Sequence, residues 1–306
     1  MPTSSQERGL SLAQLSEKIR HASVSFEREN HTSVGHIRKR EGSALAFSDR
    51  LQAVIRVVLD EKRGLLPSRG WRAVVVSLIA RTTVTLRAAH TLAAGHGREV
   101  PVVVRSALES LITATFIMKR DGARRAKRWA QYAVFLRGRF LERYPDVSSK
   151  AEHVVARGRI LAQARRIARN FPNPHFWASG LGRGSLRHLA TDTDMTWYYD
   201  FVYWLGSQGT HASALAVEKY VDATPAGSAI YRMGLSSEGL RSELAVCCDL
   251  LVHCLAALNG LCKLGLEGKL FDELIAEYKA AIGDEPLVDI IEAKRRSSTV
   301  QGIDSG

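Results

Sequence analysis

The stretch LAVCCDLLVHCLAALNGLC, residues 244 to 262, decides the fold. It is apolar all round, as suits either a helix buried on every side or a membrane span. Asp249, His253 and Asn259 punctuate it, and such groups are costly in lipid. It therefore reads as the buried axis of a bundle, running from about Leu240 to Leu266. All four cysteines, Cys247, Cys248, Cys254 and Cys262, lie on this stretch. One rigid helix keeps them from pairing with one another, and no C-x-x-C pair occurs. A reducing, cytoplasmic setting of bacterial type is the expectation. Residues Met1 to Ser16 show no apolar block behind a basic end, so a secretory leader and a membrane partner are not expected.

Working outward, apolar residues recur with a helical period at Leu45, Phe47, Leu51, Val54, Ile55, Val58 and Leu59, with Ser43 as N-cap and Gly64 as stop. Ser68 is placed to cap a second helix through Trp71, Leu78 and Leu86 that ends at Gly95. Its Val74 to Val76 run is locally strand-like, but the flanks are helical. Pro101 suits the first turn of a third helix, ended by Asp121-Gly122. Helices follow over 123–143 and 147–169, and residues 170–184 read as a loop docked on the bundle through Phe171, Phe176 and Trp177. Asp194 is a candidate cap for a helix from Met195 to Val217, followed by an irregular 222–234 segment. Ser236 or Ser237 opens the axis helix, and 271–282 and 286–296 close the fold. The expected architecture is an all-α antiparallel bundle of about seven to nine helices. Its parts are a charged N-terminal arm at 1–42, a helical bundle domain at 43–292 and a mobile tail at 293–306.

The composition is that of an ordinary globular chain, with 45% hydrophobic and 24% charged residues in 306. This excludes collagen-like, acidic disordered and disulfide-scaffold classes. The net charge of +12 is not spread evenly. Residues 119–169 hold 15 basic and 4 acidic groups, whereas 190–306 hold 9 basic and 17 acidic. The 119–169 segment reads as a basic helical hairpin. Arg124, Arg125, Arg128 and Trp129 are its candidate contacts to RNA or DNA, through phosphates and stacked bases. The acidic C-terminal part is an alternative partner for it, within the fold or across a homodimer. Arg outnumbers Lys, 32 to 11, a bias that often reflects genome base composition rather than selection for phosphate.

Two polar constellations interrupt apolar helices. Arg105 and Glu109 stand one turn apart and share a face, so a partly buried ion pair is expected between them. In WYYDFVYWLGSQGTHAS, residues 197 to 213, Tyr203, Ser207 and His211 also follow one another at one-turn spacing. Gly206 and Gly209 leave room for another backbone. His211 beside Ser207 is a candidate general base and nucleophile, and Arg105 and Glu109 complete the candidate catalytic set, with Tyr203 as a binding residue. Nothing at the right spacing orients the histidine ring. Asp249 and His253 form an i, i+4 pair, read as a core hydrogen bond because two ligands do not make a metal site. No metal or other cofactor is expected.

The R-S-A-L-E of Arg105 to Glu109, the W-A-Q-Y-A of Trp129 to Ala133 and the downstream Y-x-x-x-S-x-x-x-H-A-S of Tyr203 to Ser213 together resemble a bacterial helical family, domain of unknown function five-six-seven-seven. The resemblance spans about residues 45 to 265. It implies an all-α fold, makes Arg105, Glu109, Tyr203, Ser207 and His211 family-typical positions, and brings no activity with it. The family's usual Leu before the Ser is Gly206 here, which bears on how that turn packs. A second likeness is to HEPN ribonucleases, which are helical and metal-independent: Arg169-Asn170 followed by His175 matches their short motif, although Pro172 and Pro174 distort the helix start it needs.

The functional expectation is an interaction or regulatory bundle with a polar interhelical pocket lined by Arg105, Glu109 and His211. The alternatives are an HEPN-like ribonuclease and nucleic-acid binding through the basic hairpin.

Overall fold

A computed structural model of the chain describes Glu17 and residues 34–61, 66–67, 69–93, 95–148, 151–211, 220–223, 229–231, 240–265 and 269–283. The described residues form an all-α bundle. Its α-helices are α1 (Gly42–Glu61), α2 (Gly70–Ala93), α3 (Val100–Lys119), α4 (Gly122–Arg143), α5 (Ala151–Ile167), α6 (Leu186–Asp192), α7 (Thr196–Tyr198), α8 (Trp204–Thr210), α9 (Leu240–Cys262) and α10 (Lys269–Ile282). A π-helical turn, Tyr199–Tyr203, joins α7 to α8. These ten α-helices, besides the helical residues 34–40, exceed the expected number because α6 was not expected and because the single helix expected after Asp194 is broken into α7 and α8 around that turn.

Helix α9 is the axis. Leu240, Leu244, Cys247, Leu251, Leu255 and Leu258 on it are fully buried, and it packs against α1, α2 and α3. Burial of each such leucine contributes about 1.5–3 kcal/mol, which is why an apolar run with three polar interruptions settles here. Helices α3 and α9 are long and apolar enough to cross a membrane, and 67% and 72% of their most apolar windows lie inside the bundle. Helices α2 and α3 form an antiparallel pair along their length. At its centre the buried Thr82 hydroxyl donates to the Leu78 carbonyl at 2.9 Å, so no hydroxyl is left unsatisfied there. Helix α10 closes the far side, where Tyr278 meets Phe47 edge to face, with centroids 6.0 Å apart.

Several boundaries differ from the sequence reading. The core reaches back before residue 43: residues 34–40 are helical, and Ile37 is buried. Ser43 does not cap α1, which already begins at Gly42; its hydroxyl donates instead to the Ala281 carbonyl on α10, at 3.2 Å. Asp194 does not cap a helix either. It has a positive φ of 60° and reaches back to Lys119 at 3.2 Å. Part of the segment expected to be irregular is a short hairpin, with Val221–Ala223 antiparallel to Ala229–Tyr231. The 170–184 loop docks as expected: Trp177 is buried edge to face on Phe116, at 5.8 Å. Gly64, Ser68, Ser236, Ser237, the expected 286–296 helix and the 293–306 tail lie outside the described residues.

Candidate functional site

The site forms where α8 crosses α3. Gly206 and Gly209 make the crossing close: a β-carbon on Gly206 would lie 2.7 Å from Cβ of Arg105, and one on Gly209 would lie 2.8 Å from Cγ2 of Val102. Gly206 also abuts the Pro101 carbonyl oxygen. Gly206 is therefore what seats the helix. Because Gly209 meets Val102 while Tyr203 meets Arg105, the two helices run antiparallel.

At this seam the Arg105 guanidinium is fixed from two sides. Its Nε donates to Ser207 Oγ and its Nη2 to the Tyr203 hydroxyl, both at 2.8 Å. The group also lies 4.4 Å from the Tyr203 ring centre, a cation–π distance. Tyr203 is stacked in turn on Tyr199 at 4.7 Å, and burial, followed by the neighbouring Tyr203, pushes the Tyr199 hydroxyl above its ordinary pKa. Arg105 is half-buried and has no carboxylate within ion-pair reach among the described residues.

Of the five expected residues, the structure brings together Arg105, Tyr203 and Ser207. The expected Arg105–Glu109 ion pair is absent: Arg105 turns toward α8, while Glu109 is exposed one turn further along α3. His211 is exposed as well, at the C-terminus of α8, where its backbone N–H donates to the Ser207 carbonyl at 3.0 Å. The antiparallel crossing explains this. Moving from Arg105 to Glu109 and from Ser207 to His211 means going about 6 Å in opposite directions along the seam. Arg105, Glu109 and His211 thus do not line one shared cluster. The Ser207 hydroxyl donates to the Tyr203 carbonyl at 2.7 Å and accepts from Arg105. Neither neighbour can take its proton, so among the described residues Ser207 has no general base in hydrogen-bond reach.

In the basic hairpin of α4 and α5, two of the three named arginines work inside the fold. Arg125 donates to the Phe116 carbonyl and sits 3.7 Å from the Phe116 ring centre, and burial lowers its pKa. Arg128 donates to the Asn170 carbonyl at 3.0 Å and so holds the 170–184 loop. Trp129 packs partly buried against the core. Arg124 alone of the three is exposed. In the ribonuclease-like motif, Arg169 and His175 are both exposed, on a 3-10 turn and a loop, and the His175 backbone N–H is held by Asn173 Oδ1 at 2.9 Å.

Elsewhere, Asp249 is fully buried with Oδ2 3.6 Å from His253 Nε2, and His253 also meets the Tyr198 hydroxyl at 3.3 Å. Burial raises the Cys248 and Cys254 thiols to about 12 and Cys247 well above its ordinary value. These are core groups. The sequence reading missed the exposed aromatic ridge of Trp197, Phe201 and Trp204, each roughly half exposed, with Trp197 and Phe201 stacked at 5.4 Å. Aromatics spaced one turn apart look like core packing, and only the helix orientation shows that this row faces out.

Comparison with curated proteins and with solved structures finds no match. The model of one family, described as a family of unknown function, DUF5677, matches residues 72–228, which is more than half of the chain and includes α3, α8 and every residue of the Arg105 cluster. With its helical bundle and these motifs in the matched region, the chain belongs to the DUF5677 family of unknown function.

Proposed function

We propose that this bundle is a regulatory or interaction protein that binds an oxyanion, a carboxylate or a phosphoryl group, at the α3–α8 seam. One observation carries the reading: the Arg105 guanidinium is held rigid by Ser207 and Tyr203 without a carboxylate partner among the described residues. A guanidinium has five N–H donors in a planar fork, and two of them are engaged among the described residues. Those remaining, with the Tyr203 hydroxyl proton beside them, suit two oxygens of one anion. Pre-fixing of the fork removes much of the ordering cost that weakens binding by a free surface arginine. Glu109 and His211, on either side along the seam, are suited to select what the anion is attached to. A cytoplasmic setting belongs to this proposal and is supported by the four free cysteines.

Thermal unfolding of the full chain with inorganic phosphate or with succinate, at matched ionic strength, tests the reading. Binding at a hundred times Kd stabilises by about 2.7 kcal/mol. One of the two anions should raise Tm in the parent, and the rise should vanish in Arg105→Lys, which keeps the charge and loses the fork. An equal rise in Arg105→Lys, or none in the parent with either anion, would overturn the proposal.

A further inference from the structure

The chain's charge excess sits on the α4–α5 hairpin, which has a small apolar cluster of its own made by Phe135, Ile167 and Phe171. The two helices touch closely where Gly138 meets the Ala164 methyl group. Leu136 and Phe140 stand one turn apart on the outer face of α4, and Tyr144, the residue that follows the helix, continues their row; the three are 44%, 50% and 46% exposed. The rings of Phe140 and Tyr144 lie with centroids 5.0 Å apart, and the Arg143 guanidinium lies 5.7 Å from the Tyr144 ring. At about 100° per residue Leu136 and Phe140 lie about 40° apart around α4, and Tyr144 extends the stripe past the end of the helix. Arg139 and Arg143 border it on one edge and Arg137 on the other.

Part of this charge is used inside the fold, by Arg125 and Arg128 and by Arg139, whose Nη1 donates to the Pro174 carbonyl at 3.4 Å. Glu142 pairs with Arg165 at 3.1 Å. Arg124, Lys127, Arg137, Arg143, Arg159 and Arg166 have no carboxylate within ion-pair reach among the described residues. Such an array calls for a polyanion, and the two exposed rings within it call for a partner with flat apolar faces. An unpaired strand offers both: phosphates for the guanidiniums and base faces for the rings. A duplex keeps its base faces stacked inside. A membrane surface calls for a broader apolar face than a three-residue stripe hemmed by arginine.

We infer that the outer face of the α4–α5 hairpin binds single-stranded nucleic acid, with Phe140 and Tyr144 as stacking platforms between rows of arginine. This moves the binding surface away from Arg125 and Arg128, which the fold itself uses, toward the hairpin tip.

The test is fluorescence anisotropy of the full chain with labelled oligouridine, with a duplex of equal length, and with phosphatidylserine-containing vesicles by co-sedimentation. The single strand should bind more tightly than the duplex, and its affinity should fall steeply with salt. Phe140→Ala with Tyr144→Ala should weaken oligouridine binding by about tenfold or more and leave the melting temperature in place, since both side chains are exposed. Arg137→Gln with Arg143→Gln should weaken it and flatten the salt slope by about 0.7 for each phosphate no longer neutralised. No binding to oligouridine, equal binding of the duplex, unchanged affinity in the aromatic pair variant, or binding to vesicles alone would each overturn the inference.

Discussion

Gly206 backs onto the carbonyl of Pro101, so that a β-carbon there would stand 3.1 Å from the Pro101 carbonyl carbon and closer still to its oxygen. Backbone on both sides means neither partner can yield by turning a side chain. Gly206→Ala should therefore cost about 1–3 kcal/mol by forcing α8 off α3. Gly209→Ala should cost less, because the atom it meets belongs to the Val102 side chain. Chemical denaturation of both variants checks the order, and a larger loss for Gly209→Ala would contradict it.

The bonds from Arg105 to Tyr203 and Ser207 should show energetic coupling. A double-mutant cycle of Arg105→Met and Tyr203→Phe is expected to give an interaction energy of about 1–3 kcal/mol, the range for a charge-assisted hydrogen bond. Arg105→Met with Glu109→Gln should be additive within about 0.5 kcal/mol, because the two side chains are not paired. Measurable coupling to Glu109 would mean that the ion pair forms after all.

Neighbouring arginines on α4 should behave oppositely. Arg125→Met removes the donor to the Phe116 carbonyl and the cation over its ring, so a loss of about 1–3 kcal/mol is expected. Arg124→Met, at an exposed position with no carboxylate in reach among the described residues, should stay within about 0.5 kcal/mol of the parent. Urea midpoints of the two variants give the comparison.

Three cysteines should be chemically silent in the folded chain. Cys247, Cys248 and Cys254 are buried with raised thiol pKa values, whereas Cys262 is partly exposed. Native protein should react with a thiol reagent at one site per chain near pH 8, and denatured protein at four. A folded pKa above the unfolded value means the unfolded chain loses its protons first, so stability should fall as pH rises above about 9, the unfolded thiol value, toward the folded values near 12 for Cys248 and Cys254. Each such thiol contributes a slope of about 1.4 kcal/mol per pH unit over that window.

Acid should act on the α1–α2 seam through His90. Its Nδ1 lies 3.1 Å from Ser48 Oγ and its Nε2 3.3 Å from Asp49. Burial lowers its pKa, outweighing the attraction of Asp49. The folded chain therefore holds the proton less readily than the unfolded one, and stability should fall as pH drops below about 6.5, the ordinary histidine value. His90→Gln should flatten that limb of the pH–stability curve, and an unchanged limb would assign it to other groups.

The long elements were legible because burial leaves a period. The apolar rows of α1, α2, α3 and α9 lie where the sequence placed them, and Val74 to Val76 are helical despite their β-branching because α2 is packed on both sides. Termini were less legible, since capping competes with tertiary partners: Ser43 was drawn to Ala281 and Asp194 to Lys119. For the site, spacing identified which residues share a ridge on one helix, hence Tyr203 with Ser207. It carried no sign for the direction in which α8 crosses α3. That direction separates Glu109 from His211 and leaves Arg105 between Tyr203 and Ser207.

The π turn at Tyr199–Tyr203 sets the rotational phase between two anchors. Upstream of it, Tyr198 points to His253 on α9; at its end, Tyr203 points to Arg105 on α3. A π turn holds one residue more than an α turn, and one residue is about 100° of rotation. Deleting a single residue within it would return the segment to plain helix and swing one tyrosine away from its partner while the other stayed. The bulge acts as an angular offset, so the Arg105 seam and the α9 axis tolerate substitutions in this segment far better than changes in its length.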